Sequence, residues 1–222
     1  MKNYFITGID TDIGKTFVTK FLALAFFKKG FTTGVYKPLQ SGAIISETGL
    51  LAPDLLEVQK LSKNINTKCS YLLQGEVSPA LAARLSGIKI DTDLLKSDFF
   101  SFSNQNDITL VEGAGGILAP ATDSLLCADL IKLFNIPVII VTAPFLGRLN
   151  HTLLTIEYAK NNNINIKGLI INKIPAKSND LATQNFIDEL NLYSDCSILG
   201  KIENSTDLNY LENNFASIIQ NL

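Results

Sequence analysis

The chain of 222 residues is poor in the groups on which several kinds of chemistry depend. It has one histidine, His151, and three cysteines, Cys69, Cys127 and Cys196, which lie far apart and never form a C-x-x-C pair. An odd set with that spacing argues against a disulfide framework or a zinc site and reads as free thiols in a reducing compartment. Arg84 and Arg148 are the only arginines, and no basic tract or basic-aromatic interleaving occurs. With a net charge of −2, the chain offers nothing for a nucleic-acid backbone to dock on. The longest apolar stretch, "IPVIIVTAPFLG" from Ile136, contains two prolines and is too short to span a bilayer. Lys2 is followed by only a few apolar residues before Asp10 and Asp12, which is not the pattern of a signal peptide. Repeats and low-complexity linkers are also absent, so one cytoplasmic domain over residues 1–222 is expected, without a membrane or nucleic-acid partner.

What remains is 46% hydrophobic, enough for a sizeable core, and it alternates between two kinds of segment. Apolar runs at 4–9, 34–39, 108–113, 137–143, 166–174 and 197–202 read as strands. Helical spacing occupies 15–29, 53–63, 78–87, 91–102, 124–134, 148–162, 178–190 and the end of the chain from about Ser205. Gly30 would stop the first helix, Pro53 sits at a permitted first-turn position, and Asp91 is a candidate cap. Strands apolar throughout must be covered on both faces, which with intervening helices means an α/β fold: a mostly parallel sheet with right-handed crossovers and helices on both faces. Ligands in such sheets lie at the carboxyl ends of the strands.

"GIDTDIGKT" (8–16) stands at one of those ends, between the first strand and the first helix. Backbone N–H groups in such a loop form a concave nest, and the helix terminus adds about half a positive charge. Gly8 and Gly14 let the backbone approach a phosphate, Lys15 can reach the β- and γ-phosphates, and the Thr16 hydroxyl can bind magnesium. Five residues separate the glycines, where the usual phosphate loop has four. A magnesium ion needs carboxylates, and "LVEGAGG" (110–116) places Glu112 at the end of a buried strand, as in a Walker B segment. Asp54 is a second candidate, although acids favour first helical turns for dipole reasons alone. "YKPLQSG" (36–42) puts Lys37 at another strand end, where it would face the same crevice as Lys15 and suit a transferring phosphoryl group, with Ser41 following as a donor. "APFLGRLNHTLLT" (143–155) enters a helix through Gly147, a second potential anion site suited to a carboxylate. His151 reads as a cap or packing residue, because no Ser or Cys motif accompanies it.

Together "GIDTDIGKT", "YKPLQSG", Asp54, "VEGAGG", "LGRLNH" and "GLIINK" resemble, in order and spacing, the dethiobiotin synthetases, whose phosphate loop has this longer spacing. The resemblance runs from the first strand to about residue 203. It implies a P-loop fold and an ATP- and magnesium-dependent ring closure. Carbon dioxide adds to one amine of 7,8-diaminononanoate, the γ-phosphoryl group passes to the carbamate oxygen, and the second amine displaces phosphate. It further implies that Lys37 and Lys15 are catalytic and that Thr16, Asp54 and Glu112 surround the metal. Nucleotide contacts would come from Asp12, Ile13, Gly14, Lys15, Thr16 and Phe17, and from Asp54 and Glu112 with Gly113, Ala114 and Gly115. Asn172 would read the adenine, beside the loop of Ile202, Glu203 and Asn204. Thr11, Asp12, Lys37 and Ser41 would line the diamine, while Gly147 and Asn150 of the other subunit of a homodimer would hold its carboxylate. Four positions depart from the family pattern. Asp12 stands where glutamate is common, Ala80 where histidine is frequent, Arg148 lies inside the carboxylate turn, and Glu203 replaces a common proline.

The alternative on the same loop is a nucleotide-driven switch of the partition or septum-placement type. Those proteins carry a further lysine near the start of the loop, where this chain has Asp10, and need a DNA- or membrane-binding surface. A small-molecule kinase would want arginine-rich lids, and an amidating ligase a glutaminase domain for which nothing after residue 203 leaves room.

Overall fold

Unbroken apolar strands can be satisfied only in the middle of a layered structure, and this is where the chain puts them. The computed structural model describes residues 2–47, 49–175 and 177–222. In chain order the elements are β1 (Lys2–Gly8), α1 (Lys15–Lys28), β2 (Thr33–Gln40), β3 (Ile44–Ser46), β4 (Gly49–Leu51), α2 (Pro53–Leu61), β5 (Asn66–Leu72), α3 (Pro79–Leu85) and α4 (Thr92–Ser103). There follow β6 (Ile108–Gly116), α5 (Cys127–Phe134), β7 (Val138–Thr142), α6 (Arg148–Asn161), β8 (Ile166–Ile174), α7 (Leu181–Tyr193), β9 (Ile198–Glu203) and α8 (Leu208–Ile218). Seven strands form one sheet in the order β5-β2-β6-β1-β7-β8-β9, and every pairing in it is parallel.

Each face of the sheet has its own aromatic cluster. On one, Phe99 of α4 and Phe134 of α5 lie 4.7 Å apart and surround Tyr36 of β2 and Phe5 of β1. Elsewhere Phe21 of α1 stacks on Phe215 of α8 at 5.3 Å, tying the first and last α-helices together. Such pairs contribute about 0.5–1.5 kcal/mol each beyond their area burial. Topology then fixes where a ligand can sit. The chain leaves β1 for β2 on one side, and leaves the neighbouring β6 for β7 on the other, so the carboxyl ends of β1 and β6 flank a switch point.

Two features were not expected from the sequence. "NTKCSYL" forms the edge strand β5, and Ile44–Ser46 pairs antiparallel with Gly49–Leu51 as the small β3-β4 ladder outside the main sheet. An edge strand needs no continuous apolar run, and β5 is half-buried or exposed along its length, so its pattern carries little strand signal. Among the described residues, no helix is long and apolar enough to cross a membrane.

Candidate active site

Buried β1 stops at Gly8 because the next turn must reverse the chain into α1, and two non-standard backbone conformations achieve it. Asp12 and Gly14 both have left-handed dihedrals, with φ of 55° and 97°. Gly14 is the N-cap of α1 and has no side chain to offer its helix, and no acidic residue occupies the first turn. The leading N–H groups of α1 are therefore left to an external anion. Glycine is required twice. A Cβ on Gly8 would come within 2.6 Å of Ile13 Cγ2, and one on Gly14 within 2.1 Å of Asn172 Nδ2.

Lys15, only 7% exposed, donates from Nζ to the Asp10 carbonyl at 2.9 Å. Its pKa is lowered, first by burial and then by the nearby Lys37 ammonium, so a bound polyanion would relieve an unfavourable charge. Thr16 donates to Glu112 Oε1 at 2.8 Å, bridging the phosphate loop to β6, which runs four residues beyond Glu112 to Gly116 and not, as the sequence suggested, only to Gly113.

Lys37 leaves β2 pointing at the same place. Its ammonium is 2.6 Å from Asp54 Oδ2 and 2.9 Å from Glu112 Oε1, and donates to the Gly113 carbonyl at 3.0 Å. Burial pulls its pKa down, but the two carboxylates outweigh that and hold it above the ordinary lysine value. The carboxylates themselves diverge. Glu112, fully enclosed, is pushed up by burial and by the neighbouring Asp54 charge, against the pull of Lys37. Burial also acts upwards on Asp54, but Lys37 and the hydrogen bonds around it hold its carboxyl below the ordinary value. Glu112 Oε2 is buried without a hydrogen-bond partner among the described residues, an oxygen that the protein leaves unused beside a threonine hydroxyl and a second carboxylate.

These groups line a cleft of about 950 Å³. Thr11, Asp12, Gly14, Lys15, Thr16, Lys37, Ser41, Asp54, Glu112, Ala114 and Gly115 all reach it. Gly113 lies beneath, packed against Phe5, and Ile13 is buried with its carbonyl accepting from Asn172 Nδ2 at 3.1 Å. Other expected residues stand apart. Phe17 turns its ring towards Phe21 and Phe215 in the helix layer, and so does not face the cleft. Ile202 is core, while Glu203 and Asn204 lie beyond Asn172 at the end of β9, where Asn204 N–H donates to Ile174 O at 2.7 Å. Gly147 and Asn150 are exposed at the start of α6 and do not line this cleft. Ala80 is buried in α3, with its N–H on the Pro120 carbonyl.

Two groups at the site were not singled out in the sequence, and a third, Arg148, stood out there only as a departure from the family pattern. Gln40, three residues past Lys37 on the same strand, is buried with Oε1 unpartnered among the described residues and Nε2 on the Ser41 carbonyl. Lys173 also lines the cleft, and its one sequence signal is a cation directly following Asn172 in an apolar strand. Arg148 reaches across 138 positions to Asp10, with Nη1 2.7 Å from Oδ2. A second cavity of about 410 Å³ lies on that side, walled by Ile9, Leu118, Leu154 and Tyr158, with Asp10 and His151 at its polar part.

Comparison with known proteins agrees with this geometry. A family model described as an AAA domain matches residues 2–211. The ATP-dependent dethiobiotin synthetase BioD of Anoxybacillus flavithermus is 38% identical over 214 residues, covering 95% of each chain. The enzyme of the same name from Clostridium perfringens is 36% identical over 220 residues, covering 95% of this chain and 96% of its own. Among solved structures, a plasmid partition protein of Borrelia burgdorferi superposes with a TM-score of 0.66 at 16% identity, covering 99% and 96% of the two chains. The septum site-determining protein MinD of Pyrococcus horikoshii, solved with Mg-ADP, gives 0.59 at 14% identity, covering 98% and 93%. At those identities the structural likeness speaks for the P-loop fold alone.

Proposed function

The chain belongs to the ATP-dependent dethiobiotin synthetase family, ligases that form dethiobiotin in biotin biosynthesis, and from its own residues we propose how it does so. The substrates are 7,8-diaminononanoate and carbon dioxide, and the reaction runs in the cleft at the ends of β1, β2 and β6 as a single cytoplasmic domain over residues 1–222. One amine takes up carbon dioxide as a carbamate, whose oxygen receives the γ-phosphoryl group of ATP. The second amine then attacks the carbamoyl carbon, expels phosphate and closes the ureido ring.

The chemistry brings a carbamate towards a triphosphate, two anions that repel, so the site must supply cations already in place. The observation that carries the reading is the Lys37 ammonium, buried between Asp54 and Glu112 and facing the same cleft as Lys15. Lys15 and the open N–H groups of α1 hold the phosphates; Lys37 neutralises the oxygen across which the phosphoryl group moves. Thr11, Asp12 and Ser41 line the amine side. Asn172 supports base recognition beside Glu203 and Asn204, one of its donors being committed to Ile13 O.

Magnesium fits the donor set. Thr16, Asp54 and Glu112 offer a hydroxyl and two carboxylates, and Glu112 Oε2 has no hydrogen-bond partner among the described residues. When bound there it would supply Lewis-acid neutralisation of the phosphate oxygens. A homodimer is supported by the α6 side. There Leu118 and Leu154, 49% and 62% exposed, line the second cavity, Leu146 is 85% exposed just before α6, and Gly147 and Asn150 lie exposed at its start to meet a partner's substrate tail. Sedimentation should give twice the monomer mass.

A phosphate-release assay with the diamine, bicarbonate and ATP omitted in turn tests the reading. Release should require all three. Hydrolysis that ignores the diamine would instead favour a nucleotide-driven switch.

A further inference from the structure

The phosphate loop is gripped from the β8 side by two consecutive side chains. Asn172 Nδ2 donates to the Ile13 carbonyl at 3.1 Å, and Lys173 Nζ donates to the Asp12 carbonyl at 2.5 Å. The second grip is obtained against the backbone's preference. Lys173 has φ of 56°, a left-handed conformation that a residue with a Cβ adopts rarely. It does so where the β8/β9 ladder shifts register, between Ile171 and Ile174. Asp12, at the other end of the bond, is left-handed as well. An exposed lysine with no such task would relax into an ordinary strand conformation and leave its ammonium in water.

We propose that Lys173 is a positioning residue for nucleotide binding. It holds the Asp12–Ile13 peptide region so that the loop's N–H groups converge on the phosphates, and it acts through the loop, with no contact to the base. This rests on the reading of the cleft as the nucleotide site and adds the residue that shapes it. The Asp12 carbonyl points away from the anion when Lys173 holds it, and a loop freed from that bond can turn a carbonyl inward, where it repels phosphate. Asn172 alone fixes only the next carbonyl along.

Glycine is the informative substitution, because it removes the ammonium and relieves the left-handed strain together. Lys173→Gly should melt at or above the wild-type temperature and yet bind ADP about tenfold more weakly, the loss of one charge-assisted hydrogen bond. Calorimetric titration should show inorganic tripolyphosphate weakened by the same factor, since the defect lies in the phosphate cradle. Lys173→Met should behave alike, and Lys173→Arg, which restores a cation to the carbonyl, should recover most of the affinity. In turnover, KM for ATP should rise in Lys173→Gly with kcat nearly unchanged. Equal affinities in wild type and Lys173→Gly would overturn the proposal. So would a loss for ADP that spares tripolyphosphate, which would place the lysine on the base. A wild-type protein that binds neither ligand would instead sink the assignment of the cleft itself.

Discussion

The two flanks of the phosphate loop hold it by different physics. On the β2/β6 flank, ionised side chains meet directly: Lys37 lies between Asp54 and Glu112, and Thr16 bonds to the same Glu112. On the β8 flank, Asn172 and Lys173 donate only to backbone carbonyls of the loop, at Ile13 and Asp12. Charges in a buried cluster are individually uncompensated once one partner leaves, so the first flank is poised to rearrange when a polyanion or a cation arrives. Donors on carbonyls change nothing in net charge, and the second flank therefore fixes shape. On the proposed mechanism the chemistry belongs to one side and the mould to the other.

The sharpest way to break that division is Lys37→Met. On the proposed mechanism it should lower kcat by about 10²–10³, the loss typical of one preorganised charge-stabilising donor. ADP affinity, set by the loop and the other flank, should change little. A parallel collapse of ADP binding would show that the β2 side also moulds the loop. The next effect belongs to the mould. Gly14→Ala introduces a Cβ 2.1 Å from Asn172 Nδ2 at a φ of 97°, so both the left-handed turn and the Asn172 grip suffer. Destabilisation of about 1–3 kcal/mol is expected from the backbone conformation, read as a lower denaturation midpoint, with a clear rise in KM for ATP. A third variant, Glu112→Gln, keeps the shape of the charged flank and removes its enclosed anion. The half-saturating magnesium concentration should rise by at least about tenfold, while tripolyphosphate binding without magnesium is kept or improved. Unaltered magnesium dependence would take the unpartnered Glu112 oxygen out of the metal site.

The two flanks were not equally legible in the sequence. Lys37, Glu112 and Thr16 announce themselves because a charged or hydroxyl residue closing an apolar run has few structural reasons to be there, although Lys37 and Glu112 lie inside β2 and β6, which run on to Gln40 and Gly116, and only Thr16 falls at a helix start. The central strands were legible for the same reason, whereas β5 was not, since its mixed polar pattern reflects an edge position that only the assembled sheet defines. Lys173 gave a weaker signal. Its left-handed turn is not marked by Gly or Asn, and its partner is a carbonyl 161 positions away, which carries no residue type to recognise. Phe17 was expected among the nucleotide contacts; its ring turns into the aromatic layer with Phe21 and Phe215, which leaves its backbone N–H in the first turn of α1 as the group it could offer a phosphate.

Arg148 and Asp10 form a third tether, from α6 to the start of the loop, and it should be the weakest of the three. Both side chains are partly open to solvent, at 30% and 48%, and a single exposed ion pair contributes about 0.2–1 kcal/mol at most. Its hydrogen bond to Arg148, followed by the one from Thr11 N–H, holds the Asp10 carboxyl below its ordinary 3.8. A carboxyl with a lowered folded-state pKa contributes stability that is present above the ordinary value and is lost as pH falls through the lowered one. Arg148→Met should therefore cost less than about 1 kcal/mol near neutral pH, and salt should shrink the difference from wild type. The gap between the two proteins should also narrow as the pH is taken below 3.8. Chemical denaturation at several salt concentrations measures this directly. If Arg148→Met proved as damaging to ADP binding as Gly14→Ala, the loop would be shaped from three sides, and the assignment of its mould to the β8 flank would have to be given up.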